Sequence, residues 1–165
     1  MEQARVGIGF DVHPFVKGRP LVLGGVTIPH PMGLDGHSDA DVLCHALADS
    51  LLGALAQGDI GVHFPSTDER WRGVSSLDLL SRVAEVVANK GYSPVNVDTT
   101  VVAQAPRLAP YTVEMKRNIC SVLQLGQEMV SVKATTTDGL GFCGRGEGIA
   151  ALAISLLRPA RGSSG

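Results

Sequence analysis

Arg5-Val6-Gly7-Ile8-Gly9-Phe10-Asp11-Val12-His13 opens with an alternating pattern and reads as a β-strand over about residues 4–13. Residues two apart on a strand face the same way, so Asp11 and His13 project together while Val12 turns to the opposite face. A second stretch, His37-Ser38-Asp39-Ala40-Asp41-Val42-Leu43-Cys44-His45, leads into a helix and puts His45 in its second turn. Asp11, His13 and His45 thus offer one carboxylate and two imidazoles from two short segments. Three such ligands leave a fourth position open, which is the arrangement of catalytic rather than structural zinc. Taken singly, each residue has a plainer reading: a capping aspartate, a solvated histidine, a histidine packed in the core. Taken as a set at this spacing, they read as a metal site.

The helix, expected from Asp39 to about Gln57, contains good helix formers, no proline and one internal glycine, Gly53. Leu43, Leu47 and Leu51 recur at helical spacing and mark its buried stripe. Asp41, His45 and Asp49 recur one turn apart on another face. An imidazole that ligates a metal usually gives its other N–H to a carboxylate or carbonyl. Asp41 and Asp49 are the candidates for that role, with solvated surface charges as the alternative. Asp39 reads as an N-cap or first-turn residue favoured by the helix dipole.

The chain has 165 residues and a formal net charge of −2, enough length for one domain with a real core. The near balance of charge, with a pI near 6.2, argues against a general nucleic-acid or membrane-surface binder, both of which need a concentrated positive field. An anionic substrate must therefore be held by a few placed groups, metal ions or backbone amides. Aromatic residues make up 4% of the chain, so the core is aliphatic. The mean hydropathy of +0.17 is apolar for a small chain, which suggests surface buried between subunits or a well-filled core. No apolar run approaches the roughly 20 residues that cross a bilayer. Strand pattern begins within a few residues of the start, so no signal or transit peptide is expected. The three cysteines, Cys44, Cys120 and Cys143, are odd in number and widely spaced, and read as packing residues in a reducing cytoplasm.

Along the chain, a turn-rich Pro14–Pro20 follows the first strand, and a second strand near Leu21–Ile28 is expected to pair with the first as a hairpin. Gly58–Gly61 ends the first helix, and a polar loop runs from Phe64 to about Gly73. A second helix spans Ser75–Lys90, closed by Gly91. Val95–Gln104 alternates as a strand. A helix near Pro110–Leu123, a strand over Val130–Thr136 and a last strand near Gly148–Leu157 complete the order β-β-α-α-β-α-β-β. That order predicts an α+β two-layer sandwich, a mixed β-sheet with helices packed on one face. A single domain is expected over residues 1–160, with residues 161–165 a disordered tail.

At this point the motifs resemble a known family, the 2-C-methyl-D-erythritol 2,4-cyclodiphosphate synthases of the non-mevalonate isoprenoid pathway. The matching pieces are Gly9–His13, His37-Ser38-Asp39, His45-Ala46-Leu47, Gly58–Gly61, Phe64–Asp68, Ala103–Pro106, Lys133–Thr137, Gly141-Phe142 and Gly144–Gly148. They run in the family's order from about residue 5 to 157. The chain shows no room for the cytidylyltransferase domain that some relatives carry in front, so the stand-alone form is expected.

The resemblance implies a phosphorus–oxygen lyase that converts 4-diphosphocytidyl-2-C-methyl-D-erythritol 2-phosphate into the cyclic diphosphate and CMP. It implies that Asp11, His13 and His45 hold Zn2+ and that a second ion, Mg2+ or Mn2+, lies between the substrate phosphates. The family commonly presents a Glu to that second ion. Here Asp138 stands there, one methylene shorter, so hard oxygen ligation is kept either directly or through water. His37 and Thr136 match positions that stabilise the transition state, and Ser38 matches a phosphate contact. Asp59 matches a ribose ligand, with Ile60 and Gly61 beside it. A plainer reading of Asp59 is a loop aspartate at a helix end. The resemblance assigns the cytosine pocket to Ala103, Gln104, Ala105, Pro106, Arg107, Leu108, Ala109 and Thr135. Arg107 stands where Lys is frequent, keeping the charge with a different contact geometry. Val12, Phe64, Pro65, Ser66, Thr67, Asp68 and Thr137 complete the implied substrate contacts. The family is a homotrimer with active sites between subunits, so the metal residues and the cytosine pocket are expected on different protomers. Phe10, Phe142, Arg145 and Glu147 would line a central cavity, where isoprenoid diphosphates bind in some relatives.

Two rival readings share much of this inventory. A metal-dependent phosphohydrolase would use the same ions on water and release free phosphate. A non-catalytic trimeric binding protein would keep the fold and lack one of Asp11, His13 or His45, all of which are present.

Overall fold

β1 runs over Arg5–Lys17, and its alternation is inverted relative to an ordinary half-buried strand. Gly7 and Gly9 face inward, while Val6, Ile8 and Phe10 are exposed on the other side. The glycines are needed there. A Cβ on Gly9 would lie 1.8 Å from the carbonyl oxygen of Ala46, and one on Gly7 would lie 1.9 Å from that of Ser50. Both oxygens belong to α1, Val42–Ala54, so the strand and helix backbones touch directly. This close approach lets His45 of α1 reach Asp11 of β1. The structure, a computed structural model, describes residues 3–160; the expectation for a tail at residues 161–165 lies outside the described residues.

The chain continues through β2 Leu21–Leu23, β3 Val26–Ile28, β4 Met32–Leu34, the short helix α2 Ile60–His63 and α3 Ser76–Asn89. It ends with β5 Tyr92–Val102, α4 Thr112–Leu123, β6 Val130–Thr135, the short helix α5 Gly141–Gly144 and β7 Gly148–Pro159. The main sheet has five strands in the order β4-β1-β7-β5-β6. It is mixed, since β5 and β6 are parallel and the other pairs antiparallel. α1 packs on β1 and β7 and is sandwiched by α3, while α4 lies against β6 and α3. The aliphatic core fills the space between, centred on residues such as Leu43, Leu47, Leu51, Leu80, Val83, Met115 and Ile119. α1 is buried nearly all round, as expected of a helix enclosed by a sheet and a second helix. The expected α+β sandwich is what the chain forms.

Several local expectations are corrected. Leu21–Ile28 is not one strand paired with β1; it is itself a hairpin, β2 against β3. Gly24 and Gly25 supply two consecutive positive φ angles, +55° and +72°, which a tight two-residue turn requires. β1 passes through Pro14 to Lys17 and pairs with β4 instead, so the turn shrinks to the residues around Gly18–Pro20. The first helix starts at Val42 rather than Asp39, and its N-cap is Asp41. Asp41 accepts hydrogen bonds from the Cys44 amide at 3.1 Å and the Gly25 amide at 2.7 Å, which docks the hairpin onto the helix start. Burial and the nearby charge of Asp39 raise the pKa of Asp41. β5 begins earlier than expected, at Tyr92, and Pro110 lies in a 3-10 turn before α4.

Candidate active site and metal centre

Three ligand atoms meet where β1 passes α1. Asp11 Oδ2 lies 2.9 Å from His13 Nε2 and 3.0 Å from His45 Nδ1, and the two ring nitrogens are 3.2 Å apart. Among the described residues this is the group of His, Cys, Asp and Glu side chains arranged to hold a metal ion. Ligands about 2.0–2.2 Å from a tetrahedral zinc stand roughly 3.3–3.5 Å apart, so a small outward relaxation would admit the ion. The rest of each imidazole is also committed. His13 turns Nδ1 to the carbonyl oxygen of Asp35, which fixes Nε2 toward the cluster. His45 turns Nε2 into the protein, 3.0 Å from Ser38 Oγ and 2.9 Å from Ser76 Oγ. The donor set, its convergence and its outer hydrogen bonds fit a divalent cation.

The charges reinforce this. Burial alone would raise the pKa of Asp11, but hydrogen bonds from His13 and His45 and their charges outweigh it and hold the carboxylate well below its ordinary range. Burial likewise works against the charged form of His13, and Asp11 more than offsets it, so the pKa of His13 is raised. A metal ion bound here takes the place of that proton.

The expected partners of His45 are corrected. Asp41 caps α1 and holds the hairpin, and Asp49 accepts the Ile60 amide at 2.8 Å; neither carboxylate bonds His45. Ser76, which the sequence reading passed over, stands in their place. Its only local signal is an N-terminal serine pair ahead of Leu77, which speaks of capping and says nothing about a histidine 31 residues away.

The metal group opens into a cleft of about 260 Å³ lined also by His37, Ser38, Ile60, Gly61, Phe64, Ser66, Trp71 and Leu79. Arg19 shapes one wall by donating to the carbonyl oxygens of Gly36 and Ser38, the residues flanking His37. His37 Nε2 lies 3.3 Å from the Asp68 carbonyl oxygen. Phe64 and Trp71 meet edge to face with ring centroids 5.0 Å apart. Trp71 and Leu79 had no place in the sequence reading. Asp59 caps α2 through the Val62 amide at 3.0 Å, which places it beside this cleft. Pro65, Thr67 and Asp68 belong to the adjoining loop, where Asp68 is paired with Arg70 at 2.6 Å. Val12 points to the opposite face of the sheet.

A second cleft, about 280 Å³, is lined by Ala103, Gln104, Ala105, Pro106, Arg107, Leu108, Ala109, Ala134, Thr135 and Thr136. Thr136 Oγ1 donates to Asp138 Oδ1 at 3.3 Å, and Gln104 Oε1 accepts the Gly139 amide at 3.3 Å, which joins the two loops. Thr137 bonds the Leu140 carbonyl. Asp138 sits at φ +52° in this turn and is not brought to the metal group. The register explains the separation. Asp11 pairs with Ala151, Ala151 with Val101 and Val101 with Ala134. Three strand spacings, about 14 Å, therefore lie between Asp11 and the start of the second cleft. Phe142 and Arg145 lie near the start of β7, half exposed and exposed, and Arg145 pairs with Glu147 at 2.6 Å. A larger cleft, about 570 Å³, lies elsewhere, near Tyr92, Gln124 and Arg158, and contains none of these groups.

Residues 4–158 match the YgbB family. The chain belongs to the YgbB family. A 2-C-methyl-D-erythritol 2,4-cyclodiphosphate synthase of Alkaliphilus metalliredigens is 61% identical over 150 residues, covering 91% of this chain and 94% of that protein. A synthase of the same name from Pelotomaculum thermopropionicum is 58% identical over 153 residues, covering 93% of this chain and 94% of that protein. Among solved structures, the bifunctional IspDF of Campylobacter jejuni superposes with a TM-score of 0.92 at 43% identity, covering 96% of this chain and 43% of that one. The CDP complex of IspF from Plasmodium falciparum superposes at 0.84 with 33% identity, covering 98% of this chain and 99% of that one. The YgbB fold thus agrees with the mixed sheet and helices described above. Among the described residues, no helix is long and apolar enough to cross a membrane.

Proposed function

We propose that this YgbB-family chain is a 2-C-methyl-D-erythritol 2,4-cyclodiphosphate synthase, a phosphorus–oxygen lyase formed by a single domain over residues 1–160. The observation that carries the reading is the intact Asp11-His13-His45 cluster in a chain 61% identical to a synthase of that name. In the proposed reaction the 2-phosphate of 4-diphosphocytidyl-2-C-methyl-D-erythritol 2-phosphate attacks the β phosphorus, and CMP leaves. A tethered nucleophile needs positioning and charge neutralisation more than a protein nucleophile. A divalent ion, zinc in this reading, supplies Lewis-acid polarisation of the attacked phosphate when bound to Asp11, His13 and His45. His37 and Thr136 offer hydrogen bonds to the charge that develops on the transferred phosphate. Ser38 contributes to the phosphate wall, and its hydroxyl is also engaged with His45. Asp138 is the candidate carboxylate for a second ion, Mg2+ or Mn2+. Asp59, with Ile60 and Gly61, would hold the ribose. Ala103–Ala109 and Thr135 would hold the cytosine through backbone groups, with Thr137 a further substrate contact. Phe64–Asp68, including Pro65 and Thr67, would border the methylerythritol.

We infer further that the working unit is a homotrimer with each site shared between subunits. Within one chain the metal cleft and the second cleft are about three strand spacings apart. The outer face of the sheet is also unusually apolar: Val6, Ile8 and Phe10 are 66%, 67% and 55% exposed, with Leu152 and Ile154 beside them. A patch of that kind marks an interaction surface. Phe10, Phe142, Arg145 and Glu147 would then face the threefold axis, where an isoprenoid diphosphate is a candidate ligand. Three free, buried cysteines agree with a reducing cytoplasm.

The test is turnover of the diphosphocytidyl substrate before and after chelation, with metal added back. Cyclic diphosphate plus CMP, lost on chelation and restored by metal, is the expected result. Free phosphate would point to the phosphohydrolase, and binding without turnover to the trimeric binding protein.

A further inference from the structure

His45 has two ring nitrogens, and the proposed metal site uses only Nδ1. The other, Nε2, faces two buried hydroxyls, Ser76 Oγ at 2.9 Å and Ser38 Oγ at 3.0 Å. Their environments differ. Ser38 Oγ accepts the Ala40 amide at 3.1 Å, lies 3.4 Å from Ser76 Oγ, to which it can give its proton, and contacts no carboxylate. Ser76 Oγ donates its one proton to Asp39 Oδ1. A hydroxyl whose proton is committed can only accept elsewhere, so it presents a lone pair to the imidazole. Nε2 is thereby set up as the hydrogen-bearing nitrogen when a metal ion takes Nδ1, which in the ion's absence lies 3.0 Å from the Asp11 carboxylate. Ser76 and His45 are 1% and 7% exposed, so water does not compete for these bonds. Asp39 is itself held, accepting the Ser76 amide at 3.0 Å and the Asp41 amide at 3.2 Å.

We propose that Ser76 and Asp39 are positioning residues for metal binding: the Asp39 carboxylate orients the Ser76 hydroxyl, which accepts from His45 Nε2 and so holds the ring with Nδ1 aimed at the metal position. This rests on the reading of Asp11, His13 and His45 as a metal site. The relay crosses the fold. Asp39 lies on the approach to α1 and Ser76 is the first residue of α3, so the seating of α3 is coupled to the metal ligand. Partners of this outer kind are typically worth 10–100-fold in metal affinity.

The test is a zinc titration of the full metal-stripped chain in competition with a chromophoric chelator, alongside ¹⁵N-histidine NMR of the zinc-loaded protein. Ser76→Ala is expected to weaken zinc binding about 10–100-fold and to shift the His45 Nε2–H resonance, which in the wild type is hydrogen-bonded to Ser76. Ser76→Thr, which keeps the hydroxyl, should restore most of the affinity. Asp39→Asn should lose affinity, and the double variant should be little worse than Ser76→Ala alone, because both changes cut one relay. If Ser76→Ala does not fold, Ser76→Thr against Asp39→Asn makes the same comparison. Wild-type zinc affinity in a folded Ser76→Ala, or fully additive losses in the double variant, would overturn the relay and leave the metal site standing. A wild-type chain that takes up no zinc would overturn both.

Discussion

The cleft at Asp11 and the cleft at Pro106 have similar volumes, about 260 and about 280 Å³, but are built in different ways. The first is assembled from distant parts: β1, α1, the loops at residues 36–38 and 59–71, and the start of α3. Its key side chains are half-buried or buried, and each nitrogen of its two ligand histidines has a partner. The second is largely one continuous run, Ala103–Ala109, laid against the end of β6, and small residues leave its backbone within reach. The first cleft therefore depends on how elements pack, and the second on how one loop turns. A site for charge needs converging side chains that cannot rotate away, whereas a flat, polar base can be read by backbone groups.

The sharpest way to break the comparison is His45→Ala. It removes one ligand of the first cleft and leaves the second untouched. Metal content and turnover are expected to fall together to background, with CMP still bound and the oligomer intact. Normal zinc content at a normal rate would remove the metal assignment.

The next test joins the clefts. His13→Ala damages the first and Thr136→Ala the second, and each alone is expected to be inactive. Unfolded together and reassembled, they should form mixed trimers in which some interfaces pair two intact halves, and activity should partly return. Mixed trimers seen by native mass spectrometry that remain as inactive as the parents would show that the clefts do not cooperate across subunits.

A smaller effect is expected from Asp59→Ala. A hydrogen bond to a charged group contributes about 1.5–3 kcal/mol, so CMP affinity should drop roughly 10–100-fold. Zinc affinity should hardly move, because Asp59 touches none of the three ligands. Calorimetry that shows unchanged CMP binding would reduce Asp59 to the cap of α2 that it also is.

The mildest test is pH. The pKa of His13 is raised above its ordinary 6.5, because Asp11 outweighs the effect of burial. In the metal-free protein the charged His13–Asp11 pair therefore stabilises the fold below the ordinary histidine value. That contribution is lost as the pH rises through the raised value. Zinc must displace the same proton, so its affinity should weaken as the pH falls, by up to about tenfold per unit below the raised value. A zinc affinity that is flat between about pH 6 and about pH 8 would contradict the competition.

Much of this molecule was legible from residue order alone. The spacing of Asp11 and His13 on a strand, with a histidine on the next helix, is enough to point to a group that could hold a metal, because strand and helix periodicities are local properties. The major helices and strands were legible for the same reason, and the family's motifs named the second cleft. The misreadings share a cause. Leu21–Ile28 reads as one strand because its apolar run hides a turn that depends on two positive φ angles. Helical spacing matches Asp41 and Asp49 to His45, but in the packed structure both carboxylates accept from backbone amides. His45 Nε2 meets instead a serine 31 residues away. What residue order determined was which groups could meet: ligand types, strand and helix phases, and the glycines that permit contact. What tertiary structure alone decided was which of them do. Each buried polar group must find a partner, and its choice is set by which atoms the core brings within hydrogen-bond reach.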